Sequence, residues 1–244
     1  MPQTMTADPV ATGTKSLPAR IVGVLLSPRA TYADVVARPR WLGAFLTIAI
    51  LSGTAAAAFM ATDVGRNAVV DQQIAQSEAY GRHVNQAQID MIERFSGYYM
   101  YIAPAIQLVS FGIGGLIVAG LAFAVFNAML GGDGAFKQVF SVVVHSGAVL
   151  VVQGAFTLPL DYVRETLTSP TNLSVFLPFL EENSFAARML GSIDLFLIWW
   201  MISLSIGLGV LYKKRTGPIA ISVLTFYVVI AVIIAAVKSA VSGA

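Results

Sequence analysis

Cysteine is absent from this 244-residue chain, and charged residues are scarce, at 11%. Without cysteine there is no disulfide scaffold, no thiolate metal site and no cysteine nucleophile. Charged residues normally make up about a quarter of a soluble domain, so their scarcity excludes a soluble globular domain and a disordered chain. The net charge of +2 is too small for a surface that follows nucleic-acid phosphates, and we expect no nucleic-acid partner. With 57% hydrophobic residues, the composition predicts an integral membrane protein.

Long apolar stretches predict the membrane spans, because a bilayer core needs about 20 helical residues to cross it. The five predicted spans cover residues 41–62, 102–130, 138–160, 189–212 and 216–237, which together form the membrane bundle. The second uncharged run begins near residue 95, and its first tyrosines are typical of interface anchors, as is Trp41: Tyr98, Tyr99 and Tyr101. The sequence therefore predicts an all-α fold, a polytopic bundle of five transmembrane helices.

Lys and Arg are distributed unevenly between the two predicted faces. The first forty residues contain five of them against two acids, and the loop at 213–215 is purely basic. The loops predicted on the opposite face, 63–97 and 161–188, contain five and four acids. Because short cytoplasmic loops are enriched in Lys and Arg, we expect the N-terminus in the cytoplasm and the C-terminus outside.

The N-terminal residues divide into two segments. Residues 1–16 lack periodicity, which predicts a disordered tail. Residues 17–40 predict a cytoplasmic interfacial helical segment, in which Ser27 and Pro28 are typical of the start of a second helix. This segment lies in the membrane interface or packs under the bundle, and the two alternatives are compatible.

The remaining segments are predicted to lie outside the membrane. Loop 63–97 has amphipathic character, so we expect a helical hairpin or a single solvated helix there. Loop 161–188 predicts a loop with a short interfacial piece, and residues 238–244 a short tail. A cleavable signal peptide is the alternative interpretation of the first span, but forty residues precede it, far more than an ordinary n-region.

Polar residues inside apolar spans are costly and should have partners. At about 1.5 Å per helical residue, Asp194, Gln107 and Gln153 all lie about 8–10 Å from the outer side, which predicts one outer-leaflet polar cluster. Asp194 is interpreted either as a helix N-terminal residue favoured by the helix dipole or as an ion-binding or proton-binding carboxylate. Both interpretations stay open, and the first is favoured.

His145 and Asn127 lie nearer the cytoplasmic side. The same helix rise separates His145 from Asp194 by about 12 Å in depth, so we do not expect contact between them. A hydrogen-bonded packing histidine is favoured over a ligand. No second histidine or carboxylate stands at metal spacing, and we expect no metal and no cofactor.

The sequence lacks the common catalytic motifs. The sequence contains no His-Glu-x-x-His, no Gly-x-Ser-x-Gly and no P-loop. An aspartyl intramembrane protease needs two carboxylates at one site, and Asp194 is the only carboxylate within a predicted span. The glycine-rich stretch 131–134 is best interpreted as a tight turn. We expect no catalytic residues and no enzymatic activity.

Small residues recur at i, i+4 spacing, which lets membrane helices approach closely. These residues are Gly53, Ala57 and Ala61 in the first span, Gly120, Ala124 and Ala128 in the second, and Ser205 and Gly209 in the fourth. Packing within one bundle is the favoured interpretation, and homo-oligomerisation is the alternative.

Three ordered motifs resemble the YIP family (Ypt-interacting proteins), in particular its prokaryotic members. The first is Leu-Leu-Ser-Pro-Arg-Ala-Thr-Tyr at 25–32, followed by Arg-Pro-Arg-Trp at 38–41. The second is Gly-Gly-Asp-Gly-Ala-Phe-Lys-Gln-Val-Phe at 131–140. The third is Asp-Leu-Phe-Leu-Ile-Trp at 194–199, followed by Leu204 and Gly-Leu-Gly at 207–209.

The resemblance covers most of residues 21–212 and implies five helices with a cytoplasmic N-terminus. Eukaryotic members are tied to vesicle traffic and Rab GTPases. This sequence lacks their Asp-Leu-Tyr-Gly-Pro signature, so Rab binding does not carry over. For prokaryotic relatives the resemblance implies a fold and no settled activity.

The leading functional hypothesis is a scaffold, trafficking-type or membrane-organising protein of the cell (plasma or inner) membrane. It would act through helix–helix and lipid contacts, with Trp41, Trp199 and Trp200 as anchors, and would associate with lipids, a second copy or other membrane proteins. The alternative is a small transporter or channel that uses the cluster around Asp194. Against transport, no inverted repeat is visible.

Overall fold

The structure is a computed structural model that describes residues 15–181 and 184–242. The described residues are all-α and form no strand. The helices are α1 (Leu17–Leu26), α2 (Pro28–Ala37), α3 (Trp41–Met60), α4 (Asp63–Ala79), α5 (Gln86–Ser96), α6 (Tyr99–Phe123), α7 (Phe136–Ser146), α8 (Ala148–Arg164), α9 (Phe185–Gly191), α10 (Leu195–Leu211) and α11 (Thr216–Ser242). A π-helical turn, Ala124–Met129, continues α6, and a 3-10 turn, Leu173–Phe176, precedes α9.

Four helical stretches are long and apolar enough to cross a membrane. They are Trp41–Met60, Tyr99–Met129, Phe136–Arg164 and Thr216–Val241. These stretches coincide with the first, second, third and fifth predicted spans. The third contains a slight break at Gly147, between α7 and α8.

The fourth predicted span, 189–212, differs from the structure at its start. Helix α10 begins at Leu195 because Asp194 occupies the N-cap, and the preceding residues belong to the separate short helix α9. The 17 residues of α10 extend about 26 Å at the normal helix rise. Asp194 is the only charged residue in the stretch 189–212, so hydropathy alone does not show where α9 ends and α10 begins.

Helices α7 and α10 form the centre of the bundle. Every residue from Val139 to Val149 is buried, and α10 buries most of its residues from Met201 to Gly209. Gly207 makes this packing possible, because a Cβ there would lie 2.4 Å from Val142 and 3.0 Å from the Tyr32 ring.

The N-terminal pair α1 and α2 packs against this core. Tyr32 and Val35 on α2 are fully buried, while Val22 and Leu26 on α1 are 51% and 81% exposed. Packing under the bundle is therefore observed, and an apolar face remains free. Pro28 opens α2 as predicted, but the Ser27 hydroxyl donates back to the Gly23 carbonyl at 3.5 Å instead of capping α2.

The segment 63–97, predicted as a loop outside the membrane, contains two helices, α4 and α5. Thr62 caps α4 by accepting from the Gly65 N–H at 3.0 Å, and Asn85 and Gln88 form a capping box on α5. The ammonium of Lys238 lies 5.5 Å from the centre of the Tyr80 ring, which brings the end of α11 to the end of α4.

The predicted tails differ from the structure or lie outside it. Helix α11 continues to Ser242, so the segment predicted as a tail from residue 238 is helical as far as it is described. Most of the predicted disordered tail, residues 1–14, lies outside the described residues.

Candidate functional site: two buried polar centres

Asp194 is the N-cap of α10 and is only 6% exposed. Its Oδ1 accepts from the backbone N–H groups of Phe196 at 2.8 Å and Leu197 at 3.3 Å. These are two of the backbone donors that an α-helix leaves unsatisfied at its start. The carboxylate thus begins the helix and, in addition, meets its positive dipole end.

The same carboxylate fixes the loop before α9. Its Oδ2 accepts from the Thr171 hydroxyl at 2.7 Å and from the Ser169 hydroxyl. Backbone bonds strengthen this connection, since the Leu195 N–H donates to the Thr171 carbonyl at 3.1 Å. Tyr227 on α11 closes the other side, accepting from the Asp194 N–H at 3.1 Å and donating to the Ser192 carbonyl at 2.8 Å.

The Asp194 centre, as we name this group, consists of Asp194, Gln153, Ser169, Thr171 and Tyr227. Gln153 on α8 donates to Oδ1 at 3.4 Å, so two of the three residues predicted to meet do so. Gln107 is half-buried on α6 and has no hydrogen bond to any member of this centre within 15–181 and 184–242. With five donors on its two oxygens, the carboxylate connects α8, α10 and the loop between them.

A second centre, the Arg20 centre, consists of Arg20, Asp34, Tyr32, Ser203 and His145. Arg20 is 4% exposed, and its Nε lies 2.7 Å from Asp34 Oδ2. Its Nη1 also donates to the Arg38 carbonyl at 3.0 Å, which ties the end of α2 to α1. The Arg20 guanidinium therefore holds the two helices together.

Two further hydrogen bonds of this group lie inside the bundle. The hydroxyls of Tyr32 and Ser203 lie 2.8 Å apart, and burial raises the pKa of the Tyr32 phenol well above its ordinary value. His145 Nδ1 lies 2.7 Å from the Ser141 carbonyl. In the described part of the chain, His145 Nε2 and the Ser141 hydroxyl have no hydrogen-bond partner.

Asn127 lies in the π-helical turn and stabilises the glycine-rich turn after it. Its amide donates to the Gly134 carbonyl at 2.7 Å and accepts from the Tyr212 hydroxyl at 2.6 Å. The Tyr212 ring stacks on Phe126 with centroids 4.6 Å apart. A Cβ at Gly134 would lie 2.9 Å from the Tyr212 ring. Gly131 has φ +64°, so the interpretation of a tight turn agrees with the structure.

The predicted packing residues differ in their surroundings. A Cβ at Gly53 would lie 3.0 Å from Pro104 Cα on α6, and one at Gly209 would lie 3.1 Å from the Lys214 carbonyl. Ala57 is half-buried, whereas Ala124 is exposed and no atom lies within 4 Å of a Cβ built at Gly120. Helices α3 and α10 therefore use small residues at close contacts, and α6 leaves its small-residue face open.

The aromatic residues predicted as anchors are in part packed in the bundle and in part exposed. Trp41 packs edge-on against Phe140 at 5.1 Å and is part of the bundle. Tyr98 and Tyr101 are 61% and 71% exposed, while Tyr99 accepts from Gln73 at 3.0 Å. The role of Tyr98 and Tyr101 as interfacial anchors at the start of α6 stays a prediction.

The sequence did not single out Ser169, Thr171, Arg20 and Tyr32, because they lie outside the apolar runs in which a polar residue is conspicuous. Ser203 and Tyr227 lie inside predicted spans and were not singled out either. Among the described residues no group of three or more His, Asp or Glu is placed to hold a metal ion.

One protein-family model matches the chain. The model of the Yip1 domain matches residues 22–237, which is most of the chain. Neither the curated proteins nor the solved structures that were compared match it.

Proposed function

The chain belongs to the Yip1 domain family, and we propose on that premise that it is a non-enzymatic, membrane-organising scaffold of the cell (plasma or inner) membrane. It acts through lipid contacts of its N-terminal helices and through helix–helix contacts of its bundle. The observation that carries this proposal is the amphipathic α1, which the Arg20 centre holds rigidly against the bundle while its Val22 and Leu26 side chains stay exposed.

The charges around this exposed face fit a membrane surface. Arg29, Arg38 and Arg40 are exposed close to α1 in the chain, and Asp34, the acid between them, is paired with Arg20. A helix with an apolar face and cationic flanks lies in the headgroup region and responds to membrane curvature. Because α1 is fixed to the bundle, each molecule inserts it at a constant angle and depth.

The proposal includes five membrane crossings with a cytoplasmic N-terminus. Support comes from the two ends of α10: Asp194 contacts Gln153 near the far end of the third predicted span, while Tyr212 contacts the turn between the second and third. Helix α10 therefore runs the length of the bundle, although it is shorter than the other spans. The chain has no native cysteine, which makes labelling of single introduced cysteines unambiguous.

Topology is tested with Ala33→Cys and Gly97→Cys, both at exposed positions. A membrane-impermeant maleimide should label the first only from the cytoplasmic side and the second only from outside. Labelling of both from one side would contradict the proposed topology.

The organising role is tested in tethered vesicles of mixed diameter that contain the full-length protein and anionic lipid. We expect the protein density per membrane area to rise as vesicle diameter falls, and Leu26→Glu to remove this dependence. Ala33→Glu is the matched control, because it adds the same charge to the N-terminal helices at an exposed small residue. A density that is independent of diameter in the unmodified protein would overturn the proposal.

Transport is the alternative, since a buried carboxylate sits among polar groups. Against it, both oxygens of Asp194 are already occupied by five donors. We expect no cation or proton flux into vesicles above the protein-free background. A flux that Asp194→Asn abolishes would favour transport, because asparagine retains the N-capping oxygen but removes the charge.

A further inference from the structure

An apolar groove runs along the surface of the bundle between α6, α10 and α11. It has a volume of about 860 Å³ and is lined mainly by aliphatic and aromatic side chains, among them Leu121, Trp200, Leu208 and Phe226. Leu204 and Leu208 are buried, while Leu121 and Phe226 are 57% and 61% exposed. Helix α10 thus forms the floor of the groove, α6 and α11 form its walls, and it opens sideways.

One end of the groove is cationic. Lys214 and Arg215 line it, and within the described residues neither side chain has a hydrogen bond or an ion pair. Their position is set by the end of α10, where the Lys214 N–H donates to the Gly209 carbonyl at 2.9 Å and Lys213 adopts φ +53°. This is the Schellman arrangement of a helix C-terminus, with lysine in place of the usual glycine.

A second, open cleft adjoins this end. Arg215 lines it together with Arg29, Ser27 and Thr216, so two cations from distant parts of the chain face one space. The nearby acid, Asp34, is already paired with Arg20. Like charges beside one cleft, without an acid among its lining residues, favour an anion there.

The dimensions of the groove match one leaflet. Its lining runs along α11 from Arg215 to Ile230, about 22 Å, and along α10 from Trp200 to Leu208, about 12 Å. One half of a hydrocarbon core is about 15 Å thick. The groove is therefore apolar over the length of one acyl chain and cationic at the end where a headgroup would lie.

We propose that this groove binds an acyl chain of an anionic phospholipid, with the phosphate of its headgroup held by Lys214 and Arg215. Basic pockets at the ends of membrane helices recognise anionic headgroups in this way. The inference deepens the proposed function, because it specifies one of the lipid contacts on which that function rests.

The test uses the full-length protein in detergent micelles, titrated with phosphatidylglycerol or phosphatidylcholine of the same acyl chains and measured by native mass spectrometry. We expect about a tenfold preference for phosphatidylglycerol, reduced to near equality in the double variant Lys214→Gln, Arg215→Gln. Lys137→Gln is the matched control, because Lys137 is exposed but does not line the groove. Equal retention of both lipids by the unmodified protein, or an unchanged preference in the double variant, would overturn the site.

The apolar part is tested with Ser222→Trp, which fills the groove from α11. Retention of both lipids should fall, with an unchanged melting temperature as evidence of folding. If a second copy of the chain occupied the groove instead, the oligomeric mass would change while lipid retention stayed constant. If a free anion were the ligand, inorganic phosphate would remove the preference. Either result would refute the lipid site.

The vesicle experiment above separates this site from the proposed function. If the unmodified protein shows no lipid preference but keeps its curvature dependence, only the groove is refuted. Lost curvature dependence with an intact preference would refute only the organising role.

Discussion

Tyr32 on α2 and Ser203 on α10 are joined by a buried hydrogen bond of 2.8 Å between their hydroxyl oxygens. The bond connects α2 to α10 at the centre of the bundle, across 171 residues. It is possible because Gly207, one turn further along α10, leaves room for the Tyr32 ring. The N-terminal helices are therefore a component of the bundle and not an appendage to it.

Tyr32→Phe should lower the free energy of unfolding by about 1 kcal/mol, since it leaves a buried Ser203 hydroxyl without this partner. Tyr98→Phe, at a position that is 61% exposed, should have no measurable effect. Melting curves of the two variants in the same detergent test this difference. Equal melting temperatures would show that the hydrogen bond contributes nothing.

The pH dependence of the Tyr32 contribution follows from its raised pKa. Because the folded pKa lies above the unfolded value of about 10, this contribution is constant below pH 10 and is lost only as pH rises further. The stability difference between the unmodified protein and Tyr32→Phe should therefore not change between about pH 6 and 9. A change in that range would contradict the assignment.

Ser141 and Ser146 on α7 form a second matched pair, because both are fully buried. Ser141 has a hydroxyl without a partner in the described chain, whereas the Ser146 hydroxyl donates to the Val143 carbonyl and accepts from Trp200 at 2.9 Å. Ser141→Ala should be neutral or stabilising, and Ser146→Ala should cost about 1–2 kcal/mol. Melting temperatures measured side by side test the order, and a reversed order would contradict it.

Gly53 and Gly120 separate packing within the bundle from association between copies. Gly53→Leu should destabilise the monomer, because Pro104 lies 3.0 Å from a Cβ at that position. Gly120→Leu should leave the melting temperature unchanged, since the space around Gly120 is open. If the open face of α6 joins two copies, Gly120→Leu should also lower the oligomeric mass measured by light scattering. An unchanged mass would remove that face from consideration as an interface.

Much of the fold could be predicted from hydropathy and charge, and the resemblance to the YIP family is confirmed by the domain match. Long apolar runs located four full-length helices to within a few residues. The start of α10 could not be located in this way, because hydropathy does not detect an N-cap such as Asp194 inside an apolar stretch. The hydroxyls of Ser169 and Thr171 that bind its second oxygen lie in a loop without a membrane signal. The predicted depths in the membrane correctly placed Gln153 beside Asp194. Depth does not determine how a helix is rotated about its axis, so Gln107, at a similar predicted depth, does not reach Asp194.

The Arg20 centre could not be predicted from the sequence for a different reason. Arginine before a first span is expected to remain in water and to set orientation, so its burial against Asp34 has no local signal. The partner lies 14 residues further on, in another helix. Only the tertiary arrangement of α1 and α2 makes this pair visible.

The bond between Tyr32 and Ser203 also sets an order of events during synthesis. Helix α2 leaves the ribosome well before α10, because the buried partner of Tyr32 is made 171 residues later. At about 5–20 residues per second, α2 waits roughly 10–30 s for α10 to be translated. Throughout that interval its apolar face is without its final neighbour, so nascent chains should be open to chaperones and proteases at this segment until translation of α10 is complete.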